Sequence, residues 1–526
     1  MKTDQQMKKI VLFTVALFTI GMYGCTKLHE GLQGNLTPSQ VAADTNVNSL
    51  MNGVYGSMEI AYTDFLEVFA LSELTTDEAI APTRANNWDD NGVWRVLHQQ
   101  KWDANNDRIN LTFNSLGGIV FAATDVLQYH VNTQQKAEAR FLRAWAMYWF
   151  LDLFNQVPYR NPGDSLVNPA KVFTGIDALN YIISELNVIQ KDLPTGPADI
   201  ANQNAVRGLL MKCYLNKGVY ADRANPVFDP ADMNQVISLA DEIISSGQFS
   251  FTPNYFDNFS PENKTLGTEN IFTQRSSYDG NYNVFLAWIA VYSYAQGGAN
   301  GFTTLSDFYD KFDSTDKRRQ AAYDYVDGPP NPAHRINTGF LIGQQYDLFS
   351  DDSLFWPGST IPVIYTREVE NTLPGPDLLN PGIRPMKYAP DYINFTPDQG
   401  PARNEFVYLR FADVLLMKAE AILRGGTGTN VGPYGSSALS IVNAIRTDPS
   451  RGISALTSLN VNDLYDERGR ELWWENWRRQ DMIRFSKFLE PFQEKAYQSD
   501  SHYLIFPIPN QQLSVNPYLI QNPGYN

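Results

Sequence analysis

The chain has 526 residues, with 41 lysines and arginines against 57 aspartates and glutamates; the formal charge of −16 argues against a nucleic-acid binder, because phosphate recognition needs a basic face. Hydrophobic residues make up 43% and aromatic residues 13%, which suits a large packed core and excludes disorder or low complexity. Two cysteines, Cys25 and Cys213, cannot build a disulfide framework.

Lys8 and Lys9 precede an apolar run from Ile10 to Tyr23 that ends at Gly24 and Cys25. A basic start followed by an apolar stretch shorter than the ~20 residues of a spanning helix predicts an export signal over 1–24. Met22, Tyr23, Gly24 and Cys25 resemble a bacterial lipobox, in which cleavage precedes a cysteine that carries the lipid. The resemblance implies lipidation at Cys25, with 25–37 as a polar tether. Acyl chains, rather than charge, would then hold so acidic a body at a membrane.

Apolar positions at threes and fours predict helices over 38–61, 110–130, 134–155, 173–193, 203–221, 232–246, 405–424, 434–447 and 461–488. Most come in adjacent pairs, as in a degenerate tetratricopeptide array, and the expected fold class is all-α with a single domain over 38–526. Segments 82–109 and 250–404 are rich in Asn, Asp, Gly, Pro and aromatic residues, and they read as long irregular insertions with minor strands. From Ala144 to Phe154 the helix is apolar almost all round, which predicts a central helix enclosed by neighbours. Cys213 lies among Val206, Leu209, Leu210 and Leu215 and reads as a buried small hydrophobe.

Three stretches carry a family resemblance: Ala137–Tyr159, Phe406–Leu423 with Glu467–Phe485, and the tail Phe506–Tyr525. Weaker matches lie at Asp77 and Glu78, at Ile243–Phe249, and at Gly301, Phe302, Asp307, Phe312, Asp316 and Arg318. Together they resemble the SusD/RagB nutrient-binding lipoproteins. The resemblance implies a helical scaffold with an irregular ligand-bearing part. It also implies tethering at the outer membrane, facing outward, beside a SusC-like TonB-dependent transporter that imports what the lipoprotein captures.

Glu467, Glu471 and Glu475 recur every fourth residue, which invites a glycoside hydrolase reading with paired carboxylates. Arg468, Arg470, Arg478 and Arg479 surround them, however, and such a neighbourhood keeps carboxylates ionised, so structural ion pairing and no enzymatic activity are expected. The five histidines have no metal spacing, and no nucleophile motif is present. No cofactor is expected; acidic loops at Asp89 and Asp90, or at Asp347, Asp351 and Asp352, are candidates for a structural Ca²⁺ ion, with solvated loops the commoner explanation.

Carbohydrate capture needs flat aromatic faces for the C–H patches of a sugar ring and planar polar groups for its hydroxyls. Trp88 and Trp94 stand among Arg84, Asn87 and Asp89, and a second aromatic group includes Tyr282, Trp288 and Tyr292, with Trp356 in a later loop. These nine residues are the candidate ligand contacts, Trp88 foremost because its polar, loop-forming surroundings make burial hard to arrange. The expected function is glycan capture for the transporter; a peptide ligand in the same architecture is the alternative, calling for apolar pockets instead of an aromatic platform.

Overall fold

The computed structural model describes residues 46–85, 87–275, 290–324, 335–347, 350–374, 377–391 and 402–525. The expected export signal, Cys25, the tether, Tyr282 and Trp288 lie outside these residues.

The described residues form sixteen α-helices. The N-terminal ones are α1 (Val47–Thr63), α2 (Val68–Glu73), α3 (Val93–His98), α4 (Asp107–Val126), α5 (Thr133–Phe154), α6 (Gly175–Ile189), α7 (Gln203–Leu215), α8 (Lys217–Ala221) and α9 (Pro230–Ser245). Short α10 (Asn263–Leu266) and α11 (Ser306–Tyr309) punctuate the irregular part. The chain then returns to helix with α12 (Phe411–Leu423), α13 (Ala438–Arg446), α14 (Val461–Leu472), α15 (Arg478–Arg484) and α16 (Asn510–Val515). Local chemistry sets the starts. Asn106 accepts from the Arg108 and Ile109 amides, Asn132 forms a capping box with Gln135, and Asp229 caps α9 ahead of Pro230.

Neighbouring helices pack in sequence: α4 against α1 and α5, α5 against α6, α7 against α9, and α9 against α12. Every residue of α5 from Phe141 to Phe154 is buried, as its all-round apolar face predicts. The charges of this helix find partners on other elements. Arg140 and Arg143 both reach Glu185 at 2.8 Å, and Asp152 accepts from Tyr220 at 3.0 Å and Gln480 at 3.1 Å. Asn522 closes the tail onto this core, donating to the carbonyls of Phe154 at 2.9 Å and Phe506 at 2.7 Å.

Three expected helices are corrected, the one over 203–221 being divided at Asn216 into α7 and α8. Residues 407–410 form a strand, Val407–Arg410, paired antiparallel with Asn270–Thr273, so the helix expected from 405 begins at Phe411. The helix expected over 461–488 is broken between α14 and α15, where Trp474 and Asn476 take left-handed backbone angles of +63° and +67°. The irregular part also carries short strands. Ala79–Ile80 pairs with Thr303–Thr304, and Thr338–Leu341 lies between Gln320–Ala321 and Arg384–Met386. The first pairing matters for the site, because it brings the loop after Ile80 onto the segment before Thr303.

Candidate ligand-binding site

Beyond Ile80 the chain makes a tight turn in which Arg84 and Asn87 exchange backbone hydrogen bonds of 2.9 and 3.0 Å. Ala85 and Trp88 then adopt φ of +55° and +58°, a region that costs an L-residue of this bulk on the order of 1–3 kcal/mol. Neighbours hold Trp88 there. Its indole Nε1 donates to the Ala299 carbonyl at 2.8 Å, and the ring lies against Phe65, Trp94 and Phe302 with centroids 5.7, 5.4 and 5.3 Å away. Trp88 is half-buried, Phe65 beside it is half-buried, Asn87 is exposed and Asp89 is half-exposed. An indole edge with a phenyl ring, an amide and a carboxylate around it offers both the apolar face and the hydrogen-bonding groups that a sugar ring uses.

Gly301 makes room for this indole. A Cβ built on it would stand 2.1 Å from Cζ2 of Trp88. Gly301→Ala is therefore expected to expel the indole from its seat, costing about 1–3 kcal/mol of stability as overpacking does, with a changed tryptophan fluorescence spectrum as the readout.

Arg84 stitches the loops together rather than facing a ligand. It is buried, and its guanidinium donates to the carbonyls of Leu378 at 2.8 Å and Pro381 at 2.9 Å. Burial, together with the neighbouring guanidinium of Arg384, pushes its pKa well down from the ordinary arginine value. Asn300 adds a donation to the Leu379 carbonyl at 3.1 Å and accepts from Arg384 at 2.6 Å. Three loops, around 84–89, 294–301 and 378–384, are thus fixed to one another.

The other expected contacts divide. Trp94 and Trp356 are 2% and 3% exposed, and Tyr292 is also interior, so these three are corrected from ligand faces to core. Each indole has a polar partner that makes burial tolerable: Trp94 donates to Asp90 at 2.6 Å and Trp356 to Asn380 at 2.9 Å. Asp89 pairs with Arg95. Two aromatic residues outside the expected set border the same loops: Phe65 at the α1–α2 junction, and Tyr294, which is 37% exposed and edge-on to Trp356 at 6.3 Å. Tyr294 stands two residues after Tyr292 of the second aromatic group, whereas Phe65 lies outside both aromatic insertions. Among the described residues, no group of three or more Asp, Glu, His or Cys side chains could hold a metal ion. In the candidate Ca²⁺ loops, Asp351 pairs with Arg335, and Asp352 accepts from Ser350.

The glutamates that suggested hydrolysis sit in a closed ionic cluster. Glu471 accepts from Arg410 at 2.6 Å, Arg451 at 2.5 Å and Arg318 at 2.9 Å, all four side chains fully buried. Glu467 meets Arg318, Arg446 and Arg470 at 2.6–2.7 Å, and Glu475 meets Arg410 and Lys387. Burial alone would raise Glu467 and Glu471, but the arginines outweigh it: Glu467 falls to about 2, and Glu471 lies well below the ordinary carboxylate range. Ion pairing holds as expected, with different partners. Only Arg470 of the nearby arginines serves these glutamates; Arg468 goes to Asp413 and Asp481, Arg478 to Asp77, and Arg479 to Asp152.

The sequence pattern that defines the SusD family matches residues 239–525, more than half of the chain. This chain belongs to the SusD family. It is 25% identical to the starch-binding protein SusD of Bacteroides thetaiotaomicron, over 90% of this chain and 89% of that protein. Among solved structures, a SusD superfamily protein from Parabacteroides distasonis superposes with a TM-score of 0.71 at 18% identity, covering 93% of this chain and 100% of the other. The surface glycan-binding protein A of Bacteroides thetaiotaomicron, in complex with laminarihexaose, gives a TM-score of 0.65 at 16% identity, over 91% and 99%. The SusD-like fold is therefore mostly helical with minor strands, as the helical periodicity indicates. No helix among the described residues is long and apolar enough to cross a membrane.

Proposed function

We propose that this SusD-family protein captures an oligosaccharide or polysaccharide nutrient at the outer face of the outer membrane and passes it, without breaking its bonds, to a SusC-like TonB-dependent transporter. The observation that carries the reading is the half-buried Trp88 indole, held in a strained backbone conformation by Ala299 and Gly301, with Phe65, Asn87 and Asp89 around it. Strain kept at a surface aromatic is a mark of a binding position. Relatives described as starch-binding and as laminarihexaose-bound support a saccharide as the ligand. In this reading an acylated Cys25 anchors the chain, and the low pKa of Glu467 and Glu471 leaves neither as a general acid.

Calorimetry of the purified protein against a polysaccharide panel tests the proposal. Trp88→Ala is expected to weaken binding about tenfold or more, the loss of roughly 1.4 kcal/mol or above that an aromatic contact of this kind supplies. Saturable peptide binding with no polysaccharide binding would overturn the ligand class, and release of shortened sugar products would overturn the non-enzymatic reading.

A further inference from the structure

A second cleft, of about 370 Å³, opens between α11, α14 and the segment after α15, and it shares no lining residue with the Trp88 surface. Its volume falls at the lower end of the roughly 300–1,000 Å³ typical of small-ligand sites. The floor exposes one ring, the half-buried Phe492, while Tyr465 and Phe308 are buried. Behind the floor Arg478 stacks on the Tyr465 ring at 4.0 Å and grips Asp77 with two bonds of 2.7 Å. Asp77 therefore stays ionised, since the guanidinium outweighs the burial that would raise its pKa.

The mouth is polar. Asp307, Asn462 and Glu490 are exposed, and Lys487 lies 3.2 Å from Glu490. Lys311 is held by Asp466 at 2.8 Å. Asp307 is the telling residue. Of the motif that contains it, Phe302, Phe312, Asp316 and Arg318 are buried, the last two joined at 2.7 Å. Asp307 alone of these is exposed, and its carboxylate accepts no hydrogen bond from a described residue, while its amide donates to Gln493 at 3.1 Å.

The Phe492 ring beside a rim of carboxylates, amides and ammonium groups suits a sugar ring, with C–H groups on the phenyl face and hydroxyls bonded at the edge. Carboxylates outnumber lysines around the cleft, so an acidic sugar would be repelled. We propose that this cleft is a second saccharide subsite, separate from the Trp88 surface, that takes a short neutral sugar. It rests on the reading that this protein binds saccharides, but not on Trp88 itself.

The test is calorimetry and saturation-transfer NMR on the full chain with maltose, laminaribiose and cellobiose, and with glucuronate as the acidic competitor. Trp88→Ala protein is expected to keep saturable binding of at least one of the three disaccharides, unaffected by glucuronate. Adding Asp307→Ala and Asn462→Ala, both exposed positions that leave the fold intact, is expected to weaken that residual binding about tenfold or more. Complete loss of disaccharide binding with Trp88→Ala alone would overturn the second subsite and leave the Trp88 reading standing. Residual binding that is indifferent to Asp307→Ala and Asn462→Ala, or that glucuronate displaces, would overturn it too. Binding unchanged by Trp88→Ala but lost with the cleft variants would instead sink the Trp88 reading and keep the cleft. Absence of binding by the wild type would overturn both.

Discussion

Glu471→Gln is expected to destabilise the protein by about 3–5 kcal/mol, seen as a lower midpoint in urea or thermal unfolding, because it removes the charge that three buried guanidiniums share. The isosteric amide keeps the volume and offers an oxygen, but its NH₂ would face arginine donors, and Arg318, Arg410 and Arg451 would be left with fewer negative groups in a place water does not reach. Glu269 shares Arg410 and Arg451, and Asp316 shares Arg318, so the cluster would be weakened without being emptied. The control is Glu490→Gln, an exposed member of an i,i+3 pair, where less than about 1 kcal/mol is expected. Equal stability of the two variants would show that the cluster does not bind the C-terminal helices to the irregular part. The same variant separates structure from catalysis, since a hydrolase reading predicts lost turnover with the fold intact.

The position of this cluster shows how far the sequence could be read. Ion pairing was legible from the density of arginines, yet the partners of Glu471 are Arg318, Arg410 and Arg451, 153, 61 and 20 residues away and on other elements. Local spacing placed Glu475 on the same helix face; in the structure the helix ends at Leu472, and a turn carries Glu475 to Arg410 at 2.9 Å. That turn has no glycine or proline to announce it, only Trp474 and Asn476 held at positive φ by tertiary contacts. The helical scaffold was more legible, because a helix such as α5, apolar all round, has one place to go.

The aromatic loops failed for the opposite reason. Trp94 stands in the same polar insertion as Trp88, but polar neighbours are also what a buried indole needs, and Asp90 supplies the acceptor 2.6 Å away. Trp102 likewise donates to the Tyr525 hydroxyl at 2.8 Å, joining the first insertion to the C-terminal tail. Trp88 differs in lying at the edge of this cluster, where the ring meets Phe65 outside the core. The sequence could mark the loop; which ring lay at its edge depended on the approach of Ala299 and Gly301 from another segment.

The turn after α14 also sets the second large effect, a loss of stability on going from pH 5 to pH 8 that Glu73→Gln relieves. Glu73 and Glu78 are fully buried side by side. Glu73 accepts from the Asn476 amide at 2.6 Å and Glu78 from the Trp474 amide, so the two carboxyls brace the strained turn. Burial raises both, and the nearby cations Lys387 and Arg478 do not offset it: Glu73 rises to about 7, and Glu78, next to the Glu73 charge, rises well above its ordinary value. Two adjacent carboxyls in such a site hold a proton between them. The folded state therefore binds more protons than the unfolded chain above the ordinary value of 4.5, and stability falls as pH rises through the window up to about 7. A shift of this size corresponds to about 3 kcal/mol for Glu73. Glu67, raised to about 7 by burial, adds in the same direction. Glu467 and Asp481, both lowered to about 2 by arginines that outweigh their burial, act oppositely: their stabilisation is present above the ordinary carboxylate range and is lost as pH falls toward 2. The melting temperature should therefore pass through a maximum in mildly acidic buffer. In Glu73→Gln the amide donates permanently to Glu78 and still offers an oxygen to the Asn476 amide, so the variant should be more stable than wild type at pH 8 by about 1–3 kcal/mol and lose that advantage at pH 5. Unfolding in urea at the two pH values measures it; a variant whose pH slope matches the wild type would mean that no proton is held between these carboxyls.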